Sequence, residues 1–201
     1  THALDRRDIM TDLRRRLAIR GAGLTAMALV LSSCDRPAVG AWCGDPDAWC
    51  YVLVRYLPAL AAFNLLWEVA QLPLYTLWTE APPAYIAYAV LHCTVGDVLI
   101  GAGALLAALI ATRAGDLREW RWTRVGVVAV VFGLGYTAFS EWMNTAIRAS
   151  WAYSEWMPVM PFVPIGLSPL LQWVVVPAAA LALSRRLALP RPARRAVNCE
   201  L

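Results

Sequence analysis

The 201-residue chain is 60% hydrophobic and 16% charged, whereas an average soluble domain carries about a quarter charged residues. A water-soluble domain of this size has too little interior to hide that much apolar surface, so the composition excludes an ordinary soluble globule. The 18 basic residues are spread over helix ends and the N-terminal tail instead of clustering on one face, which argues against a nucleic-acid partner.

Residues 1–52 form an N-terminal extension that fits the remaining chain poorly. A triple arginine at 14–16 precedes an apolar run at 21–31, and the run ends Leu31-Ser32-Ser33-Cys34. This arrangement resembles a bacterial lipoprotein signal, with Cys34 as the lipidated residue. Lipidation of Cys34 outside the membrane would reverse the orientation that the arginines of the later loops favour, so the charge pattern argues against it.

The extension has two other interpretations. The natural protein could begin downstream, near Val52 or Val54, with the preceding residues as an upstream addition, or the segment could be an interfacial amphipathic helix. Cys43 and Cys50 share this ambiguity, and they could form a disulfide if the segment is exported.

Residues 53–187 contain four mostly apolar stretches, each close to or above the roughly 20 residues that a helix needs to cross the hydrocarbon core. The predicted spanning helices cover 56–78, 84–112, 125–147 and 164–184. The fold class is therefore all-α, a polytopic membrane protein with a bundle of four transmembrane helices, and the lipid bilayer is its first partner. Residues 188–201 form a predicted cytoplasmic tail.

Arginines predict the orientation of the bundle. The loop between the second and third helices carries Arg113, Arg118, Arg121 and Arg124, and the fourth helix ends at Arg185 and Arg186. Short basic loops stay on the cytoplasmic side of the membrane. We therefore expect a multi-pass protein of the bacterial inner membrane, with the N-terminus of the helical domain and the C-terminus in the cytoplasm.

Polar side chains inside the predicted spans are the candidates for function, because an ionisable group in a membrane is costly. Residues three or four apart share a helix face, so Asn64, Glu68, Gln71 and Tyr75 form one stripe. Thr137, Glu141, Asn144 and Arg148 form another. The candidate pocket residues are Glu68, His92, Asp97, Glu141, Asn144, Gln172, Tyr153 and Glu155.

Two kinds of chemistry fit these side chains, and a structural role competes with both. His92, Asp97 and Glu141 could ligate a transition metal, and the carboxyls could act as acids and bases. His92 and Asp97 are five residues apart, about 140° around a helix, and so do not form a simple bidentate pair. Alternatively, the amides and His92 hydrogen-bond across packed helices, and Glu141 pairs with Arg148.

The segment 151–164 is rich in tryptophan and proline, and its prolines exclude a regular helix. It carries Tyr153 and Glu155. We expect either a lid over the polar pocket or a connector anchored at the lipid head groups.

The sequence leaves three functions open and names no cofactor. It has no Walker loop, HExxH, GxSxG or CxxC motif. The leading hypothesis is a pocket, open to the outer face, that binds or moves a proton, a metal ion or a polar head group. The alternatives are an intramembrane enzyme acting on a lipid or isoprenoid, and a non-catalytic assembly or accessory subunit. Four helices are few for a solitary transporter, which favours either a homo-oligomer under the first hypothesis or one of the two alternatives.

Overall fold

A computed structural model describes residues 40–188 of the chain. Cys34, the apolar run before it and the tail after residue 188 lie outside the described residues. The described part contains four helices that are long and apolar enough to cross a membrane, which confirms the all-α class. They are α1 (Pro46–Leu74), α2 (Pro83–Ala111), α3 (Trp122–Ile147) and α4 (Leu167–Ala188).

Helix α1 begins ten residues before its predicted start at 56. The Asp45 side chain caps it by accepting a hydrogen bond from the Asp47 amide (2.9 Å), and Pro46 occupies the first turn, where its missing N–H is harmless. A π-helical segment at Tyr51–Tyr56 follows. Tyr51 and other residues assigned by the sequence to the extension are buried in the core: Trp42, Cys43, Ala48 and Val52.

The other three helices lie near their predicted positions. Helix α2 is within one residue at both ends, with Pro83 in its first turn. Helix α3 starts three residues early and finishes in a π-helical turn at Met143–Ile147. Helix α4 starts three residues late, because the preceding segment is irregular, and it continues past Pro177, a proline in the middle of the helix.

The helices form an up-and-down bundle. Each packs against the next along the chain, and α4 closes the ring by packing on α1. Two glycines allow close approach between neighbours: Gly101 of α2 faces Leu60 of α1, and Gly133 of α3 faces the indole of Trp173 on α4. Small residues at such contacts are the usual means by which membrane helices pack tightly.

This connectivity gives the bundle two different ends. At the arginine-rich end, the start of α1 meets the loop at 112–121 and the end of α4. There the Tyr51 hydroxyl hydrogen-bonds Ser184 Oγ (2.7 Å), and the Arg55 guanidinium donates to the Leu187 carbonyl. At the other end, which we call the lid end, lie the connection at 75–82 and the segment 148–166, the lid.

Large apolar side chains point outward along all four helices. Leu66, Leu99, Val131 and Leu171 are each more than half exposed. A protein surrounded by water rarely presents such continuous apolar surface. The outer face of the bundle therefore suits contact with lipid chains.

Candidate functional site

The polar cluster lies between the helices in the half of the bundle nearer the lid. Its centre is Gln172 of α4, whose side chain is 2% exposed. The amide nitrogen Nε2 of Gln172 approaches three acceptors: Asn64 Oδ1 at 3.0 Å, Glu68 Oε1 at 3.1 Å and Asp97 Oδ2 at 2.8 Å. One side chain thus connects α4 to both α1 and α2.

A second chain of hydrogen bonds joins α1 to α4. Ser168 Oγ donates to Gln71 Oε1 (2.9 Å), and Gln71 Nε2 donates to Glu68 Oε1 (2.8 Å). Ser168 and Gln172 are four residues apart on α4, while Glu68 and Gln71 are three apart on α1. The helical repeat therefore sets matching polar faces against each other.

Glu68 and Asp97 bring two carboxyl groups together from different helices. They share the Gln172 amide nitrogen, and their side chains are within hydrogen-bonding reach of each other. Within residues 40–188, no arginine or histidine forms an ion pair with either carboxyl. Two acids without a cation in an apolar bundle are expensive to hold as two full charges.

Asn64 adds an unused donor to the cluster. Its side chain is 2% exposed, and its Oδ1 accepts from Gln172, but its Nδ2 has no hydrogen-bond partner. A buried amide without an acceptor costs about 1–3 kcal/mol. A small polar species bound beside Asn64 would supply that acceptor.

Glu141 of α3 is 7% exposed and is the third acid of the region. It accepts a hydrogen bond from the Tyr153 hydroxyl, and that hydroxyl in turn accepts from the Gly166 amide (3.0 Å). The buried indole nitrogen of Trp151 lies near Glu141 without forming a well-aligned hydrogen bond. Arg148 forms no ion pair with Glu141 in the described structure, so Tyr153 is the partner that the sequence did not identify.

The lid is fastened above the cluster by backbone hydrogen bonds. The Thr76 amide donates to the Ala152 carbonyl (3.1 Å), and the Ser154 amide donates to the Leu74 carbonyl (2.9 Å). Tyr75 and Tyr153 lie between these bonds with ring centroids 5.6 Å apart. Burial, with nearby Glu141 contributing, raises the pKa of both tyrosines. Both hydroxyls therefore stay protonated at neutral pH.

An open groove of about 680 Å³ lies beside the lid. Its walls come from the connection after α1, from the end of α3 and from the lid. Tyr153, whose hydroxyl hydrogen-bonds Glu141, is one of its lining residues. Other residues that line it are Thr76, Leu77, Thr145, Ala146 and Trp151.

Three of the predicted pocket residues lie away from the cluster. His92 is exposed on the outer surface of α2 and stacks on Tyr88, with centroids 5.6 Å apart and planes 20° from parallel. Asn144 donates back to the Ser140 carbonyl of its own helix (2.8 Å), and Glu155 is exposed on the lid.

The metal set suggested by the sequence is not assembled. His92 faces away from Asp97, as their spacing on the helix requires. Among residues 40–188, no group of three or more histidine, cysteine, aspartate and glutamate side chains is placed to hold a metal ion.

Sequence reasoning missed Ser168 as a neighbour of the acids, and it placed Cys93 on the same helix face as Asp97. Ser168 lies four residues before Gln172, so helical spacing places both on one face. Cys93 carries a free thiol, is half-buried and lies near Glu68 and Asp97. Cys93 and Asp97 are four residues apart and therefore share a face of α2, but the sequence did not reveal which helix that face meets.

Comparisons with protein-family models, with curated proteins and with solved structures give no match to this chain.

Proposed function

We propose that this chain is a bacterial inner-membrane protein whose polar cluster binds and exchanges a small polar species, with the proton as its first candidate. Glu68 and Asp97 are the exchanging groups, and Gln172 holds them together. The observation that carries the proposal is their convergence on one amide nitrogen without a cation from the described residues. A proton shared by the two carboxyls would remove the cost of two adjacent charges.

The count of donors supports this assignment. The Gln172 amide has two hydrogens but three acceptors within 3.1 Å. Gln71 Nε2 also donates to Glu68 Oε1, so each of these three acceptors has a hydrogen, but no described residue donates to the second oxygen of either carboxyl, Glu68 Oε2 or Asp97 Oδ1. A proton on Glu68 or Asp97 would add a donor there, and the free donor on Asn64 could orient a water molecule that delivers the proton.

Infrared spectroscopy of the purified protein in lipid tests the proposal. In the wild type, a rise in pH should remove the C=O stretch of a protonated carboxylic acid, and the difference spectrum records that loss as a band. The band should be missing in Glu68→Gln and Asp97→Asn. Matched controls are Glu155→Gln and Asp116→Asn, which change exposed acids. An unchanged band in both cluster variants would rule out proton exchange at this pair.

The arginine-rich end faces the cytoplasm in this proposal. It gathers Arg55, Arg113, Arg118, Arg121 and Arg124 with the arginines that end α4, whereas the lid end carries Arg148. Arginine in short loops resists export across the membrane. The polar cluster is then nearer the outer face, beneath a lid that separates it from the exterior.

The groove beside the lid favours a second candidate, an enzyme acting on a lipid or isoprenoid. Such a substrate could enter from the membrane and meet the Tyr153 hydroxyl, with Glu141 as the proton acceptor. Incubation with membrane lipids would then give a product that disappears with Glu141→Gln and persists with Glu155→Gln. Failure of both tests would favour an assembly or accessory subunit.

A further inference from the structure

A second groove, of about 670 Å³, lies at the arginine-rich end between the start of α3 and the end of α4. We call it the arginine groove. It is open to the surface and is separate from the polar cluster. Its lining includes Arg121, Thr123, Arg124, Val127, Val128 and Arg185.

The rim of the arginine groove carries three guanidinium groups without an acidic partner. None of Arg121, Arg124 and Arg185 forms an ion pair with a carboxylate of the described residues. Arg121 also precedes the first turn of α3, where no side chain caps the helix. The positive end of the helix dipole therefore adds to the charge of the arginines.

Aromatic packing fixes the base of the groove. The Arg185 guanidinium lies over the Trp122 ring at 5.4 Å. The Trp122 ring contacts the rings of Tyr51 (5.2 Å) and Trp120 (5.3 Å), and Tyr51 and Trp120 belong to the buried core. A cation held on a packed aromatic ring loses little further freedom when it binds an anion.

An apolar track continues from the rim toward the middle of the bundle. Arg124, Val127, Val128 and Val131 follow the helical repeat along one side of α3. Val127 is 58% exposed and Val131 is 61% exposed, and both lie within a helix that is suited to span a membrane. A ligand that fits the whole surface therefore has an anionic head followed by an apolar chain.

We infer that the arginine groove binds the head group of an anionic phospholipid. The head-group phosphate sits between Arg121, Arg124 and Arg185, where guanidinium groups can donate paired hydrogen bonds to its oxygens. One acyl chain lies along Val127 and Val131. A free phosphate would satisfy the arginines but leave the apolar track uncovered, so the lipid is the occupant that matches both parts.

Native mass spectrometry of the full chain, released from nanodiscs, tests the assignment. The nanodiscs contain phosphatidylcholine with a minor fraction of phosphatidylglycerol. The wild type should retain phosphatidylglycerol in preference to phosphatidylcholine. Loss of two groove arginines in R121Q/R124Q should weaken retention about tenfold or more. R113Q/R118Q should change it less than about twofold, because it removes equal charge from the same end of the bundle but outside the groove.

Three further measurements complete the test. The R121K/R124K variant keeps the charge but removes the guanidinium forks, so it should lose part of the retention. The single variant R124Q serves if the double variant does not fold. Inorganic phosphate, added as a competitor, should not displace the lipid. Equal losses in the two double glutamine variants, equal retention of both lipids, or displacement by phosphate would overturn the assignment.

Discussion

Gln172 is the side chain on which the interior of the bundle depends most. It is buried on α4 and donates to acceptors from α1 and α2. Hydrogen bonds between membrane helices are usually worth little individually, because partners are also found in the unfolded state. Gln172 differs because two of its three acceptors are carboxyl groups, and a buried carboxyl without a donor is much costlier than a neutral acceptor.

Replacement of Gln172 by leucine should lower the free energy of unfolding by about 2 kcal/mol, because it leaves Glu68 and Asp97 without their common donor. Denaturant unfolding in detergent micelles, followed by circular dichroism, measures this change. The matched control is Asn144→Leu, whose amide donates to its own helix, and it should cost less than about 1 kcal/mol. Equal costs for the two variants would contradict the central role of Gln172.

Tyr153 holds the lid as Gln172 holds the helices, since its hydroxyl links Glu141 to the Gly166 amide. Tyr153→Phe should expose residues 148–166 to limited proteolysis several times faster than in the wild type, because about 1 kcal/mol of hydrogen bonding is lost. Tyr85→Phe changes an exposed ring and should leave the cleavage rate unaltered. An unchanged rate for Tyr153→Phe would mean that the backbone bonds alone hold the lid.

The same hydroxyl predicts a pH dependence of the lid. Burial raises the pKa of Tyr153, with its hydrogen bond to Glu141 as a further cause. Its contribution is therefore complete below the unfolded value of about 10 and is lost as the pH rises from there toward the folded pKa. Cleavage by an alkali-stable protease should accelerate above about pH 10 in the wild type. Tyr153→Phe should lack that component of the acceleration.

Some glycines of this bundle lie where two helices approach each other closely, and others face open space. A methyl group on Gly133 would collide with the Trp173 indole, whereas a methyl group on Gly135 would meet nothing within 4 Å. On α2, Gly101 faces Leu60 and Gly103 faces open space in the same way. Glycines two residues apart on one helix therefore have opposite requirements.

Gly133→Ala should destabilise the bundle by about 1–3 kcal/mol, because α3 and α4 must separate to admit the added methyl group. Gly135→Ala should be neutral or stabilise by up to about 1 kcal/mol, since alanine favours a helix over glycine. Thermal unfolding of the two variants in the same detergent compares them directly. Equal melting temperatures would show that the contact between α3 and α4 has room for a methyl group at Gly133.

The whole molecule carries two indicators of sidedness that disagree. The charge rule predicts that the arginine-rich end lies in the cytoplasm. At the same end, however, Cys43 and Cys50 each take part in a disulfide, and disulfides persist mainly in oxidising compartments. Seven arginines of the described residues lie at that end, and short segments with so many arginines resist export across the membrane. We therefore expect the charge rule to decide.

Labelling of intact cells with an impermeant thiol reagent checks this orientation. A cysteine introduced at exposed Glu155 should react from outside, whereas one introduced at exposed Asp116 should react after the membrane is opened. The reverse labelling pattern would place the arginine-rich end outside, in a compartment where disulfides persist.

The sequence predicted those features that depend on a single helix and not on how the helices pack. Apolar length located the four spans, and helical spacing put Asn64, Glu68 and Gln71 on one face. It misplaced the start of α1 because Arg55 interrupts the apolar pattern, while packing of Tyr51 against α4 supports the earlier turns. The partners of each face depend on helix rotation, which one sequence does not fix. For this reason the approach of Asp97 to Gln172 was not foreseen.

Pro177 divides α4 into two parts with different attachments. Proline has no N–H to donate, and its ring clashes with the carbonyl four residues earlier, that of Trp173. Ser168 and Gln172 lie on one side of the break, with Ser184 and its bond to Tyr51 on the other. Amide hydrogen exchange should therefore resolve α4 into two cooperative units, and ligand binding at the polar cluster should slow exchange in the first unit alone.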